Sequence, residues 1–139
     1  MPKNWILLTA LVAAGFASII VHAAGRPRAV SVDEAATLVS AALPSKLRHL
    51  PKFGLEEYQD GHSPKFYFFT AYWAGAPNGS MVIGNYAVDS STGDVWNAVT
   101  ECDEQSTPAL RKLQRTLRAR IGLTDAEYKR IKSKGPLCE

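Results

Sequence analysis

Acidic side chains gather at one point of the chain, with the close spacing that paired carboxylates need for catalysis. Glu56, Glu57 and Asp60 fall within five residues, next to an Asp-Gly-His-Ser-Pro turn signal. Two neighbouring carboxylates can act as the general acid and base of glycoside hydrolysis, so a small cell-envelope hydrolase is one hypothesis. Acids beside a turn more often only solvate the chain, and no G-x-S-x-G nucleophile motif is present. We therefore expect no enzymatic activity and assign no catalytic residue.

Residues that bind metals at characteristic spacings are sparse in this sequence. His49 and His62 each lie in a loop-like context, and no cysteine stands at ligand spacing from either, so we expect exposed histidines and no zinc site. The segment from Asp89 to Asp94 combines acids with a glycine, as calcium loops do, but it lacks the EF-hand pattern and its closing glutamate. A structural turn is the better interpretation of that segment. We predict no metal and no cofactor.

The two cysteines of the chain, Cys102 and Cys138, form an even pair. In an oxidising compartment such a pair most simply forms a disulfide bond, which would tie the end of the chain to its central region. Two free or metal-binding thiols are the alternative. We predict the disulfide because no histidine or further cysteine stands at ligand spacing near either thiol.

The N-terminus has the pattern of an export signal. Lys3 precedes an apolar run that reaches Val21, and small residues follow at Ala23–Ala24, which is the order of regions in a secretory signal peptide. An uncleaved membrane anchor is the alternative, because the run is almost long enough to span a bilayer. We predict a signal peptide over residues 1–24 and a single domain over residues 25–139. The protein is then periplasmic or secreted, and its membrane contact is limited to the signal segment.

The central region has the pattern of a β-hairpin. Apolar residues alternate on both sides of a cluster of turn formers in the segment Ser80–Val99, with the period of a half-buried strand. Asp89 can hydrogen-bond to its own backbone in the loop, and Gly93 can adopt the positive φ that closes it. We predict that Asp89 and Asp94 are exposed at the hairpin tip. We expect them to bind a partner together with Trp96, a large aromatic residue on the returning strand.

Further strands precede this hairpin, and helices flank the sheet. Residues 53–58 and 65–73 are predicted strands, and the second is so rich in aromatic residues that both of its faces should be covered. Ser31 opens a predicted helix over residues 32–43 with a capping box. The order of elements predicts an α+β domain with an N-terminal helix, a three- to four-stranded antiparallel meander, and C-terminal helices packed on one face.

The C-terminal helices have their own signals. Thr107 and Pro108 start a helix over residues 108–121. Thr124 opens a second, short helix with a capping box. Arginine and lysine residues cover most of the first of these helices, and we expect its apolar seam, not its charges, to hold it in place. The predicted seam consists of Leu110, Leu113, Leu117 and Ile121.

Charge is unevenly distributed along the chain. Acids outnumber bases between Asp33 and Glu104, and bases dominate from Arg111 to Lys134. A basic tail can indicate nucleic-acid binding, but in an exported protein a solvated helix face that complements an acidic sheet or partner is the better interpretation. We predict a protein partner that is basic where it meets the acidic sheet, and no nucleic acid.

The hairpin sequence from Tyr86 to Trp96, YAVDSSTGDVW, resembles the hairpin of PepSY-like exported bacterial proteins. In those proteins a Tyr-x-Val-Asp strand turns through a Thr-Gly-Asp/Glu-Val loop. The resemblance implies a small, non-enzymatic α+β domain that inhibits peptidases or regulates partners, and other secreted families of this size act as immunity proteins against bacterial toxins. We therefore predict an exported binding or inhibitory module, and immunity to a secreted toxin is one concrete form of it. The small hydrolase is the alternative.

Overall fold

The computed structural model describes residues 29–58, 65–98 and 102–132. The predicted signal peptide, Asp60, His62 and Cys138 lie outside these ranges. Among the described elements, no helix is long and apolar enough to cross a membrane. In chain order the elements are α1 (Val32–Ala42), α2 (Ser45–Arg48), β1 (Phe53–Tyr58), β2 (Phe66–Ala76), β3 (Gly79–Asp89), β4 (Val95–Asn97), β5 (Asp103–Glu104), α3 (Pro108–Ile121) and α4 (Asp125–Lys132). This order confirms the predicted α+β class.

The strands form one antiparallel meander in the order β1-β2-β3-β4-β5. The sheet is larger than the predicted three or four strands, because the two residues of β5 pair with β4. β2 and β3 form a long ribbon of 11 residues each, in which Phe69 pairs with Tyr86. β4 is short and continues the sheet only at one end of that ribbon, where Val95 pairs with Val88.

Helices α1 and α3 pack against one face of this sheet. The core between the two layers includes Leu38 and Val39 of α1, Leu110 of α3, and the strand residues Val88 and Val95. Each of these side chains is at most 2% exposed. Full burial of an aliphatic side chain of this size stabilises the fold by about 1.5–3 kcal/mol. The apolar faces of the strands and of the helices therefore form one core.

Caps define the helix ends and link two of the helices. The predicted capping box of α1 is present, since the Glu34 N–H donates to Ser31 Oγ and the Ser31 N–H donates to Glu34 Oε2. Thr107 Oγ1 accepts from the Leu110 N–H at 3.1 Å. The same hydroxyl donates to the carbonyl oxygen of Ala41 at 2.7 Å. The start of α3 is thereby fixed to the end of α1.

The buried face of α3 differs from the predicted seam at one position. Leu110 and Leu117 are buried as predicted, but Leu113 is 37% exposed. Gln114 is buried in its place and is 6% exposed, because its Nε2 donates to the carbonyl oxygen of Gly93 at 3.0 Å. The prediction is wrong at Leu113 because α3 packs against the polar β3–β4 loop as well as against apolar surface.

Candidate functional site

The loop between β3 and β4 is held in shape by its own groups. Asp89 Oδ1 accepts hydrogen bonds from the N–H groups of Ser91 at 2.7 Å and Thr92 at 3.1 Å. Gly93 has a φ of 71°, and its N–H donates to the carbonyl oxygen of Asp89 at 2.8 Å. These bonds confirm the predicted turn and explain why aspartate and glycine stand at these two positions.

Helix α3 holds this loop from the side. Gln114 donates to the carbonyl oxygen of Gly93, and Arg118 Nε donates to that of Thr92, both at 3.0 Å. Gln114 and Arg118 are four residues apart and therefore share one face of the helix. Their side chains satisfy loop carbonyl groups that would otherwise need water. The loop consequently lies against α3 and does not project from the sheet.

Asp94 is the centre of a buried polar cluster. The residue is only 3% exposed, and its Oδ1 accepts from Arg118 Nη2 at 2.6 Å and from the Tyr128 hydroxyl at 3.2 Å. Thr92 Oγ1 donates to Asp94 Oδ2 at 3.0 Å. The Arg118 guanidinium also lies 3.8 Å from the centroid of the Tyr128 ring, which is cation–π geometry. The carboxylate is thus fully occupied by groups of the same chain.

The electrostatics of this cluster extend to β5 and α4. Burial raises the pKa of Asp94 above its usual value, and the positive charges of Arg118 and Lys132 only partly oppose that effect. Lys132 donates to Glu104 and to the Tyr128 hydroxyl. Burial lowers the pKa of Lys132, but these bonds outweigh it and the pKa is raised. We call Asp94, Thr92, Glu104, Arg118, Tyr128 and Lys132 the Asp94 cluster. It joins the hairpin to both C-terminal helices.

The three predicted partner-binding residues do not form one surface. The expectation of an exposed tip is wrong for Asp94, because Arg118 covers its carboxylate. Asp89 is half-buried and its carboxylate forms the loop turn. Trp96 directly follows the core residue Val95 in β4, so its side chain lies on the opposite face of the sheet. The loop acids therefore shape the turn and its contact with α3, and the assignment of these three residues to partner binding stays a prediction.

The acids considered for hydrolysis are separated by strand geometry. Glu56 and Glu57 are exposed neighbours in β1, where successive side chains lie on opposite faces. The two carboxylates consequently do not face one substrate, and Asp60 lies outside the described residues. His49 is exposed, with its Nδ1 2.7 Å from the carbonyl oxygen of Ser45. Within the described ranges, no group of three or more His, Cys, Asp or Glu could hold a metal ion.

Cys102, which precedes β5, is disulfide-bonded. Its backbone has a φ of 51°, in the left-handed region. Cys138, the other cysteine of the sequence, lies outside the described residues, so the Cys102–Cys138 pairing stays a prediction.

The face of the sheet opposite the helices carries a row of paired residues across all five strands. The rings of Tyr58 and Phe68 pack against each other at a tilt of 34°, with centroids 5.7 Å apart. Phe68 is 6% exposed and its neighbour Phe69, on the helix side, is 3% exposed. The prediction that β2 is covered on both faces is therefore confirmed at this point. In register, the row consists of Tyr58, Phe68, Ala87, Trp96 and Glu104.

The far end of the β2–β3 ribbon exposes apolar side chains. Met81 and Val82 are 54% and 64% exposed. β4 pairs with β3 only over residues 86–88, so both side chains lie beyond the end of β4. Single exposed apolar residues are common on protein surfaces. Met81 and Val82 are consecutive residues of β3 and lie on opposite faces of the ribbon, so each is a separate candidate contact point.

A groove runs between α1 and α3 on the solvent side of the helical layer. Two adjoining cavities of about 270 Å³ and 620 Å³ form it, and they share Thr37 and Leu113 as lining residues. Asp33, Glu34 and Arg120 line the smaller cavity, and Arg48 and Lys112 line the larger one. We call this surface the α1–α3 groove. The sequence pattern does not predict this groove, because the apolar spacing of α3 places Leu113 in the core and the cations of α3 on a solvated face.

Arg118, Gln114 and Tyr128 were also missed from the sequence. The available signal is the spacing of α3. Gln114 lies four residues after Leu110 and three before Leu117, and Arg118 lies three residues before Ile121. A polar residue at the helical spacing of the buried apolar positions indicates that this face meets polar groups. Which loop supplies those partners is not encoded in that spacing.

Comparison with known proteins identifies a likeness of fold. No protein-family model matches the chain, and no curated protein matches it. The chain is similar to a chain in the solved structure of a type VI secretion system effector–immunity complex from Pseudomonas protegens. The TM-score is 0.60 and the identity 24%, over 76% of this chain and 88% of that chain. The two chains share a fold over most of their length, and the resemblance to PepSY-like proteins stays an expectation.

Proposed function

We infer that this chain is a protein-binding module that neutralises a toxin, in the manner of a bacterial immunity protein. The observation that carries the proposal is the fold shared with a chain of an effector–immunity complex, at a TM-score of 0.60. A fold supports many functions, so this likeness raises the expectation and the surface of the chain must support it. The proposal agrees with the binding or inhibitory module predicted from the sequence.

The buried polar residues have a structural role, so the proposed binding depends on the exposed surface. Asp94 is 3% exposed and its oxygens accept from Arg118, Thr92 and Tyr128. A carboxylate enclosed in this way stabilises a loop and has no free oxygen to offer a substrate. The polar residues of the Asp94 cluster are therefore structural parts of the fold.

The solvent-exposed apolar residues support contact with another protein. Met81 and Val82 at the end of the ribbon and Leu113 in the α1–α3 groove are all at least 37% exposed. Apolar side chains that stay in water on a small domain gain stability when a partner buries them. The proposed complex would bury one or both of these surfaces.

The proposed compartment is the bacterial envelope. Two observations support it: the predicted signal peptide over residues 1–24 and the disulfide-bonded Cys102, since disulfides persist mainly outside the reducing cytosol. We propose that the toxin acts in the same compartment, where this chain meets it.

The test is complex formation with the protein encoded beside this chain. The two proteins, purified separately from the periplasm, are mixed and analysed by size-exclusion chromatography with light scattering. We expect a stable complex that an unrelated exported protein of similar size does not form. Elution of the two proteins as separate monomers at micromolar concentration would reject the proposal.

A further inference from the structure

The α1–α3 groove has a floor of short side chains. Ala36 and Ser40 of α1 face Ala109 of α3 across the larger cavity, and Thr37 and Leu113 lie where the two cavities meet. Short side chains leave room between two helices that the Thr107–Ala41 hydrogen bond already holds at their ends. The groove is therefore a preformed concave surface with one large apolar side chain, Leu113, exposed at its middle.

The two ends of the groove differ in charge. At one end, Glu34 is paired with Arg120 at 2.7 Å, and Asp33 is exposed beside them. At the other end, Arg48 and Lys112 are both exposed, and the lining of that cavity includes no acid. Neither cation forms an ion pair or a side-chain hydrogen bond within the described part of the chain. Two cations with no paired acid in the described part of the chain thus flank a floor of short side chains.

We propose that this basic end of the groove binds an acidic segment of the toxin partner. An apolar side chain of that segment packs on Leu113, and carboxylates on either side of it pair with Arg48 and Lys112. The inference rests on the proposed function and adds to it the surface and the charge of the partner. Complementary charge mainly speeds the encounter and fixes the register, while the apolar contact slows dissociation.

A protein segment suits this surface better than a nucleic acid does. Nucleic-acid sites need a track of cations that neutralises successive phosphates, whereas this groove has cations at one end and Asp33 and Glu34 at the other. The acids would repel a phosphate backbone laid along the groove. A short acidic segment with one apolar anchor meets only the basic end and Leu113.

The decisive variant reverses both charges, Arg48→Glu with Lys112→Glu. The matched control reverses two other exposed lysines, Lys65→Glu with Lys129→Glu, which lie outside the groove and change the net charge equally. The probe is the protein encoded beside this chain, and its Kd is measured by calorimetry at low and high salt. We expect the groove variant to weaken binding by at least about tenfold and to flatten the salt dependence, and the control to change Kd by less than about threefold.

A third variant, Leu113→Gln, tests the apolar anchor and should also weaken binding. Melting temperatures of all variants should match the parent, because these side chains are exposed. If the parent forms the complex and the groove variant binds equally well, this inference is overturned and the proposed function stands. Loss of binding from Val82→Lys alone would overturn it in favour of the ribbon end. If the parent forms no complex, the proposed function and this inference both fall.

Discussion

Replacing Arg118 by methionine tests whether the Asp94 cluster organises the hairpin loop. Methionine keeps much of the aliphatic length of arginine but removes the guanidinium, which lies 2.6 Å from Asp94. The carboxylate, 3% exposed, is then left without an adjacent positive charge from α3. Breaking a buried ion pair by removing one partner costs about 3–5 kcal/mol. The bond from Arg118 to the Thr92 carbonyl and the contact with Tyr128 are lost as well.

The assay is urea-induced unfolding followed by tryptophan fluorescence, together with a thermal melt. For a domain of about 100 residues, a loss of this size lowers Tm by roughly 10 °C or more. Arg115→Met is the matched control, because Arg115 is on the same helix, is exposed and forms no ion pair within the described residues. Its cost should be under about 0.5 kcal/mol.

A double-mutant cycle then isolates the pair. Asp94→Asn alone should cost about 1–3 kcal/mol, because the Arg118 side chain is 18% exposed and can still reach water. In the Asp94→Asn and Arg118→Met double variant, the coupling energy should be at least about 1 kcal/mol. Equal effects at Arg118 and Arg115, or fully additive effects at Asp94 and Arg118, would refute the reasoning.

Three further predictions concern the same region. Gly93→Ala should lower the unfolding free energy by about 1–3 kcal/mol, because φ is 71° and a Cβ would lie 2.7 Å from Leu117. Gly79→Ala, where φ is also positive but nothing lies within 4 Å, should cost less in the same melt, and the reverse order would contradict this packing. Leu117→Ala should lower the free energy of unfolding by about 2–5 kcal/mol. Leu113 is exposed, so Leu113→Ala should lower it by less than about 1 kcal/mol. Equal costs would show that α3 is wrongly oriented. Burial raises the pKa of Asp94 in the folded state. Between the pKa of the unfolded state and that of the folded state, the folded protein therefore binds more protons than the unfolded chain. The contribution of Asp94 to stability consequently grows as pH falls through that window. The cost of Asp94→Asn in urea should therefore be larger near the ordinary carboxyl pKa than at neutral pH, and the opposite trend would mean that Arg118 outweighs burial.

Local signals were sufficient to predict the elements of the fold. Ser31, Thr107 and Gly122 mark helix ends through bonds or backbone angles within three or four residues, and such short-range chemistry is legible in a sequence. The register of the hairpin follows from alternation around the turn, and Val88 pairs with Val95 as that pattern requires. The α+β class followed from the order of these elements.

The location of the Asp94 cluster and of the proposed binding surface depends on contacts between distant residues. Arg118 and Asp94 are 24 positions apart, and Thr107 and Ala41 are 66 apart. Asp94 was expected to be exposed because aspartate in a turn usually is, and no local signal shows that α3 will cover it. The α1–α3 groove arises only when two helices remote in sequence pack side by side, so the exposure of Leu113 could not be predicted from the pattern of α3 alone.

Survival of cells that produce the toxin tests the proposed function most directly. The protein encoded beside this chain is produced in a bacterial host and directed to the periplasm, alone or together with this chain carrying its own residues 1–24. We expect growth arrest when that protein is produced alone and normal growth when this chain is produced with it. The Arg48→Glu and Lys112→Glu variant, produced to the same level, should protect less well. Persistent growth arrest in the presence of the folded, exported parent chain would contradict the proposal that it is an immunity protein.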